Sequence, residues 1–379
     1  MILKVSFLYC VSHGDCAVIT FEENGDRKCI VVDGGKDSSS SKALREHLDA
    51  DGIEKIDLMV GTHIDSDHIE GLNQFLKEEL RRKDRGDPYI PVGRFWGPVP
   101  SEDRVASISP AGASAGEVDW QRYVIESVAQ NDRLFDQLTK AGVKILHPAL
   151  DNQPENPFQS VAIEVLGPDT QIPADEIKST ALGLTTRGSR GSVEIRGLED
   201  LGRAVSRNFE VMAMEADRTA NNQSIVFRLA PAASMPPGCE PWTFLFPGDA
   251  GASAWETMLE DASVCGRLAA RVLKVPHHGS RTGITSAAAQ RVKPAYSIIS
   301  VGQEHGLPDE DILQMVQSLE SGILCTQRNS NSTKRSACYG VSGDECPAKG
   351  DPQTITFTID TDAGTGAVAP SPRACQHSW

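Results

Sequence analysis

Long apolar runs are missing from this 379-residue chain. No stretch approaches the ~18–20 consecutive apolar residues of a membrane span, so no membrane partner is expected. A surplus of positive charge is missing too: 37 Lys and Arg face 52 Asp and Glu, for a formal net charge of −15. That balance excludes nonspecific duplex binding through a broad basic face, which depends on clustered Lys and Arg. It leaves a nucleic-acid substrate open, because bound metal ions can place positive charge at a phosphate. The nine cysteines form no CxxC pair. Cys10, Cys16 and Cys29 lie in or beside strand-like runs and read as small buried hydrophobes. Cys325, Cys338, Cys346 and Cys375 gather late in the chain, where a structural metal site or a disulfide pair both stay open. The opening MILKVSFLYCVSHGDCAVITF lacks a basic leader and a small-residue cleavage site and continues as alternating strand sequence. It is read as a first strand and not an export signal, and a cytoplasmic location is expected.

What is present is ordinary globular composition, 39% hydrophobic and 23% charged, in a chain long enough to bury a full core. Strand-like runs at Leu3–Leu8, Ala17–Phe21 and Lys28–Val32 bracket an Asn24-Gly25 turn, the signature of a hairpin. Ser38–Ser41 precede a helix over Ala43–Leu48, and Ile56–Val60 reads as a buried strand. An amphipathic helix follows over Gly71–Arg82. From about residue 83 to 140 the chain turns charged and rich in Pro and Gly before a helix over Val118–Gln137, which reads as an insertion overhanging the site. A second polar insertion is expected at about 168–220. Further strands are expected at Val143–Leu146, Val161–Leu166, Ile225–Leu229, Thr243–Phe246, Arg271–Val275, Tyr296–Val301, Gly322–Thr326 and Thr354–Ile359, with a helix over Ile312–Leu319. A Cys-bearing loop at about 327–352 and a loose tail over 361–379 complete a single domain running to about residue 360.

The chemistry concentrates in residues 61–72, GTHIDSDHIEGL, directly after the Ile56–Val60 strand. His63, Asp65, Asp67 and His68 there bring imidazole and carboxylate groups to one loop, the mixed nitrogen and oxygen donors that adjacent divalent cations take. Later strands end in similarly polar loops: Pro247-Gly248-Asp249, Pro276-His277-His278-Gly279-Ser280, and Gln303-Glu304-His305, with Asn221-Asn222-Gln223-Ser224 just ahead of another strand. Loops at one edge of layered sheets converge, so these groups are expected to be neighbours in space. Asp33, in Val31-Val32-Asp33-Gly34-Gly35, reads as a buried support for a metal-bound histidine. His147 reads as a solvent-facing strand-end residue, and His13 as structural or supporting.

In order along the chain, HGDCAVI, VVDGG, THIDSDHIEGL, NNQSIVF, FPGDA, VPHHGS and SIISVG resemble the motifs of the metallo-β-lactamase superfamily. More narrowly, they look like the hydrolase domain of competence (DNA-uptake) channel proteins and its free-standing relatives. The resemblance runs from residue 1 to about 330 apart from the two insertions. It implies an α/β fold, the αββα four-layer sandwich, with a dinuclear centre of Zn²⁺ or Mn²⁺, Mg²⁺ being a further candidate. Carried over by motif, His63 and Asp65 would hold the first ion, Asp67 and His68 the second, and Asp249 would bridge them. His277 is taken as the remaining ligand, with His278 on the substrate side and His305 a second candidate proton donor. Asn221 stands where many relatives have a further histidine. Two departures stand out: Ser12-His13-Gly14-Asp15 replaces Gly-Gln-Gly-Asp, and Glu304-His305-Gly306-Leu307-Pro308 replaces the usual Gly-His-Pro.

The implied activity is metal-dependent hydrolysis by a hydroxide formed between two cations, with Asp67, His278 and His305 as catalytic residues. The first expectation is a phosphodiesterase or nuclease acting on DNA, single-stranded DNA favoured. Tyr89, Phe95 and Trp96 with Arg81, Arg82 and Arg85 are read either as its stacking rim or as a loop tucked into the fold. A hydrolase of small esters, lactones or nucleotides is the alternative, and a non-catalytic metal-stabilised interaction module the third.

Overall fold

The computed structural model describes residues 1–10, 14–100, 115–174, 220–302, 307–326 and 354–369. Two β-sheets stack between helices. The first sheet begins with β1 (Ile2–Phe7), β2 (Ala17–Glu23) and β3 (Asp26–Val32). The β2–β3 hairpin turns at Asn24 and Gly25, both at positive φ (54° and 84°), the paired left-handed geometry an Asn-Gly turn provides. Helix α1 (Ser38–Ala50) follows, its first turn held by the Asp37 carboxylate, which accepts from the amides of Ser39 and Ser40. Then come β4 (Ile56–Val60), α2 (Ser66–Arg85), β5 (Val92–Trp96), α3 (Ala115–Ala141) and β6 (Lys144–Leu146). The second sheet holds β7 (Val161–Gly167), β8 (Val226–Pro231), β9 (Phe244–Phe246), β10 (Val272–Lys274), β11 (Tyr296–Ile299) and β12 (Gly322–Cys325). Between its strands lie α4 (Ala252–Glu260), α5 (Ala262–Cys265), a tight turn over Pro276–Gly279, α6 (Ser286–Val292) and α7 (Glu310–Ser318). The strands β13 (Ile355–Asp360) and β14 (Thr365–Ala369) return to the first sheet.

The strand orders are β14-β13-β1-β2-β3-β4-β5-β6 and β12-β11-β10-β9-β8-β7. One apolar core lies between the sheets, from Val5, Ile19, Leu58 and Phe357 on one side to Phe227, Phe244 and Ile298 on the other. Leu44, Leu72, Phe75 and Leu134 cover the outer face of the first sheet from the helices, and Trp255, Ala289 and Leu313 do the same for the second. The layers are therefore helix, sheet, sheet, helix, the expected α/β sandwich. Parallel pairing of β3 with β4, and of β9 with β10 and β10 with β11, sends the following loops out at strand C-terminal ends. Those loops carry Asp33, His63, Asp249, His278 and Ser300.

Three expectations change. The segment read as the first insertion contributes β5, an interior strand of the larger sheet, and Phe95 and Trp96 on it are buried. Their burial removes them from any rim; of the three aromatics only Tyr89 is exposed, beneath Lys83. The stretch read as a loose tail includes β14, which pairs antiparallel with β13. Helix α2 starts at Ser66, five residues earlier than expected, so Asp67 and His68 sit in its first turn and not in a loop. Among the described residues no helix is long and apolar enough to cross a membrane.

Candidate metal centre

Glycine-only contacts seat the first half of the site. A Cβ on Gly71 would lie 1.7 Å from Gly34 O, and one on Gly34 would lie 2.5 Å from Leu72 N, so α2 rests directly on the Asp33-Gly34-Gly35 turn. Gly34 N donates to His68 O and Gly71 N to Gly35 O. Asp33, at φ 57°, turns its carboxylate under the site. Its Oδ1 accepts from Thr62 N (2.7 Å), and its Oδ2 from Thr62 Oγ1 and His68 Nδ1 (2.8 Å each). A carboxylate on Nδ1 fixes the His68 ring so that Nε2 points at the centre. Asp33→Ala is expected to weaken Mn²⁺ binding by roughly 10–100-fold, read by titrating metal-free protein.

Asp65 occupies the N-cap position of α2, yet its carboxylate makes no cap hydrogen bond. It lies 3.7 Å from His63 Nε2 instead. Asp249 places Oδ1 3.3 Å from His68 Nε2 and Oδ2 3.6 Å from His278 Nε2. Its Oδ1 also accepts from His277 N (3.0 Å), and its own amide donates to Ser224 Oγ. Asp67 Oδ2 is 3.1 Å from His278 Nε2, and His278 Nδ1 is held by Ser300 O at 3.0 Å.

Three triads result among the described residues, His63–His68–Asp249, Asp67–His68–His278 and, on the Nδ1 side of His68, Asp15–Asp33–His68, with ligand atoms in each within 4.8 Å of one another. The Nε2 atoms of His63 and His68 are buried and make no hydrogen bond. Buried imidazole nitrogens aimed at carboxylates, with mixed N and O donors, fit divalent cations. Asn221, at the head of Asn221-Asn222-Gln223-Ser224, is buried, and its Oδ1 also makes no hydrogen bond.

His278, and not His277, enters these triads. Residues 277, 278 and 279 are consecutively left-handed (φ 49°, 52° and 81°), which rotates the His278 ring inward. His277 stays half-buried, with Nδ1 3.0 Å from Thr282 Oγ1. The sequence reading placed His277 among the ligands and His278 on the substrate side; the geometry brings His278 among the candidate ligand atoms. His13 and His305 lie outside the described residues, as do Cys338, Cys346 and Cys375; Cys325 is buried. His147 is half-buried against Phe135 and bonded to Gly97 O, so it does not face solvent as expected.

Two residues join the site that the motif reading did not assign. Asp15 follows Gly14, where a Cβ would lie 2.0 Å from Asp67 O. Lys274, at the end of β10, contacts Asp15 Oδ2 and lies 3.8 Å from Asp249 Oδ1. The signal for Lys274 was its charge inside an apolar strand, Val272-Leu273-Lys274-Val275. A buried charge of that kind needs a partner.

Electrostatics in the metal-free protein follow from this geometry. Burial alone would lower His63, His68 and His278, and it does lower His63. For His68 the carboxylates of Asp249 and Asp33 outweigh burial and raise it well above the ordinary value. For His278 burial is likewise overcome, by Asp249 and Asp15, and the group rises from 6.5 to about 10. Burial would raise Asp249, but His68 and His278 hold it well below the usual carboxylate range. Because His278 is raised on folding, its contribution is fully present below pH 6.5 and is lost as pH rises through about 10. Metal-free protein should therefore lose on the order of a few kcal/mol of stability across that window, seen as a falling melting temperature in chelator. With saturating Mn²⁺ the fall should vanish, since a metal ligand is already deprotonated.

Residues 11–149 match the family model described as Metallo-beta-lactamase superfamily. No curated protein matches the chain. Among solved structures, a metallo-beta-lactamase fold protein, YhfI from Bacillus subtilis, aligns at 10% identity and TM-score 0.42, covering 86% of this chain and 96% of that one. A diphosphatase from the PhnP family aligns at 13% identity and TM-score 0.37, covering 85% of this chain and 94% of that one. A long form RNase Z from yeast aligns at 10% identity and TM-score 0.35, covering 81% of this chain and 38% of that one. By the family model over residues 11–149 and by its two-sheet α/β architecture, the chain has the metallo-beta-lactamase fold.

Proposed function

We propose that the protein is a divalent-metal-dependent phosphodiesterase. The observation that carries this reading is the composition of the buried centre: His63, His68 and His278 face Asp65, Asp67 and Asp249, with Asp15 and Asp33 behind them. So oxygen-rich a donor set suits Mn²⁺ or Mg²⁺ as well as Zn²⁺, and such ions pair with phosphoryl oxygens. His63 and Asp65 would hold one ion and Asp67, His68 and His278 the other, with Asp249 within reach of both groups. When bound, the pair would ionise a water near neutral pH and polarise the phosphoryl group.

The chain's own residues do the rest. Asp33, Thr62 and Ser300 orient His68 and His278 through Nδ1, leaving each Nε2 for the centre. His277, adjacent to the centre and bonded through Nδ1 to Thr282, has Nε2 with which to pass a proton to the leaving oxygen as the P–O bond breaks. The motif resemblance to DNA-uptake hydrolase domains supports a nucleic-acid substrate, single-stranded DNA first. A small phosphodiester or nucleotide is the second reading, favoured by the burial of Phe95 and Trp96, which leaves no stacking platform from them.

Purified protein with Mn²⁺, Mg²⁺ or Zn²⁺ would be offered labelled single- and double-stranded DNA, bis-p-nitrophenyl phosphate, a lactone and nitrocefin. DNA cleavage that is lost in Asp249→Asn supports the nuclease reading. Turnover of the reporter without DNA cleavage supports the small-substrate reading. Turnover of only the lactone or nitrocefin overturns both.

A further inference from the structure

Lys274 is a buried ammonium inside a cluster built for metal ions, an unusual companion for them. It is 4% exposed, contacts Asp15 Oδ2 and lies 3.8 Å from Asp249 Oδ1. Asp15 in turn lies 3.4 Å from His278 Nδ1 and 3.9 Å from His68 Nδ1, so one carboxylate links the lysine to the back of both central histidines. Asp15 is itself pinned by its backbone, its N–H donating to Asp67 O and its carbonyl accepting from Gly35 N. The pair is thus fixed between the two halves of the site, one member from each sheet.

We propose that Lys274 is a resident cation of the metal centre: it positions Asp15 and Asp249 before any ion arrives and completes the charge balance once ions are bound. Five carboxylates converge here, Asp15, Asp33, Asp65, Asp67 and Asp249. Before any water is ionised, two divalent cations would offset four of those charges and the ammonium the fifth. Histidine ligands bind neutral and leave this balance unchanged. The fixed charge has two consequences of opposite sign. It relieves carboxylate repulsion in the metal-free pocket, which preorganises the ligands. It also repels the incoming ions, so the pocket binds them less tightly than its five acids alone would. Even at the dielectric of bulk water, a unit charge about 5 Å from a divalent ion changes affinity roughly tenfold.

The inference rests on the reading of this centre as a metal site, and titration of chelator-treated protein with Mn²⁺ alone tests the two separately. Wild type that binds no Mn²⁺ sinks the metal site and the lysine's role together. If wild type binds, Lys274→Met is expected to bind Mn²⁺ at least about tenfold more tightly while melting at a lower temperature without metal, with the loss recovered at saturating Mn²⁺. Asp15→Asn, which leaves the ammonium without its counter-charge, should bind about tenfold more weakly. The double variant should return close to wild type. A merely structural pair would weaken both stability and affinity in each single variant, so unchanged or weakened binding in Lys274→Met overturns the proposal. Should that variant unfold in chelator, unchanged or tightened binding in Asp15→Asn overturns it instead.

Discussion

Asp249→Asn is expected to cut turnover of bis-p-nitrophenyl phosphate with Mn²⁺ by at least about 10³-fold. The side chain keeps its shape but loses the charge on which the site turns. Asp249 stands 3.3 Å from His68, 3.6 Å from His278 and 3.8 Å from Lys274, and accepts from the His277 amide. Asp15 reaches His68 and His278 only from their Nδ1 side, whereas Asp249 faces the Nε2 of each through a separate oxygen, so its loss disconnects the two halves of the centre. The metal-free protein should suffer as well. Removing one partner from a buried charge cluster costs on the order of 3–5 kcal/mol, because Lys274 and the raised histidines keep their burial without their anion. Calorimetry in chelator should show a melting point lower by several degrees, and elemental analysis should show loss of bound ion. Retention of full turnover with full metal content would remove Asp249 from the centre.

How much of this was legible before the structure depends on how local each determinant is. The Asn24-Gly25 hairpin and the Ile56–Val60 strand that leads into the His63 loop follow from short-range pattern, and both form where expected. Asp33 was legible as the support of a histidine because its neighbours Gly34 and Gly35 mark a tight turn. Strand β5 was hidden because charged, Pro- and Gly-rich sequence surrounds Val92-Gly93-Arg94-Phe95-Trp96, and only pairing with β4 and β6 makes it a strand. Strand β14, Thr-Gly-Ala-Val-Ala, has almost no apolar signal and depends on its register with β13. Lys274 and Asp15 are 259 residues apart along the chain, and nothing short of the fold joins them. The start of α2 was misplaced for a related reason: Asp65 was read as a ligand on a loop, whereas its backbone begins the helix while its side chain turns to His63.

The adjacent pair His277-His278 is where the structure separates what sequence cannot, and its variants should part just as sharply. His278→Ala is expected to lose a metal ion and at least about 10³-fold in turnover, because its Nε2 lies 3.1 Å from Asp67 and 3.6 Å from Asp249. His277→Ala should keep its full metal content and lose roughly 10²–10⁴-fold in turnover, the range for one positioned proton donor. The contrast comes from backbone geometry. With three consecutive residues at positive φ, the chain can aim only one of two neighbouring imidazoles at the sheet edges, and Ser300 O holds that one in place. A substrate with a better leaving group needs no proton at the ester oxygen, so a p-nitrophenyl diester should hide much of the His277→Ala defect while an alkyl diester exposes it. His278→Ala should be equally impaired on both, since the ion is gone for either. If His277→Ala instead lost the ion and His278→Ala kept it, the inward turn of His278 would be wrong, and with it the assignment of the second triad.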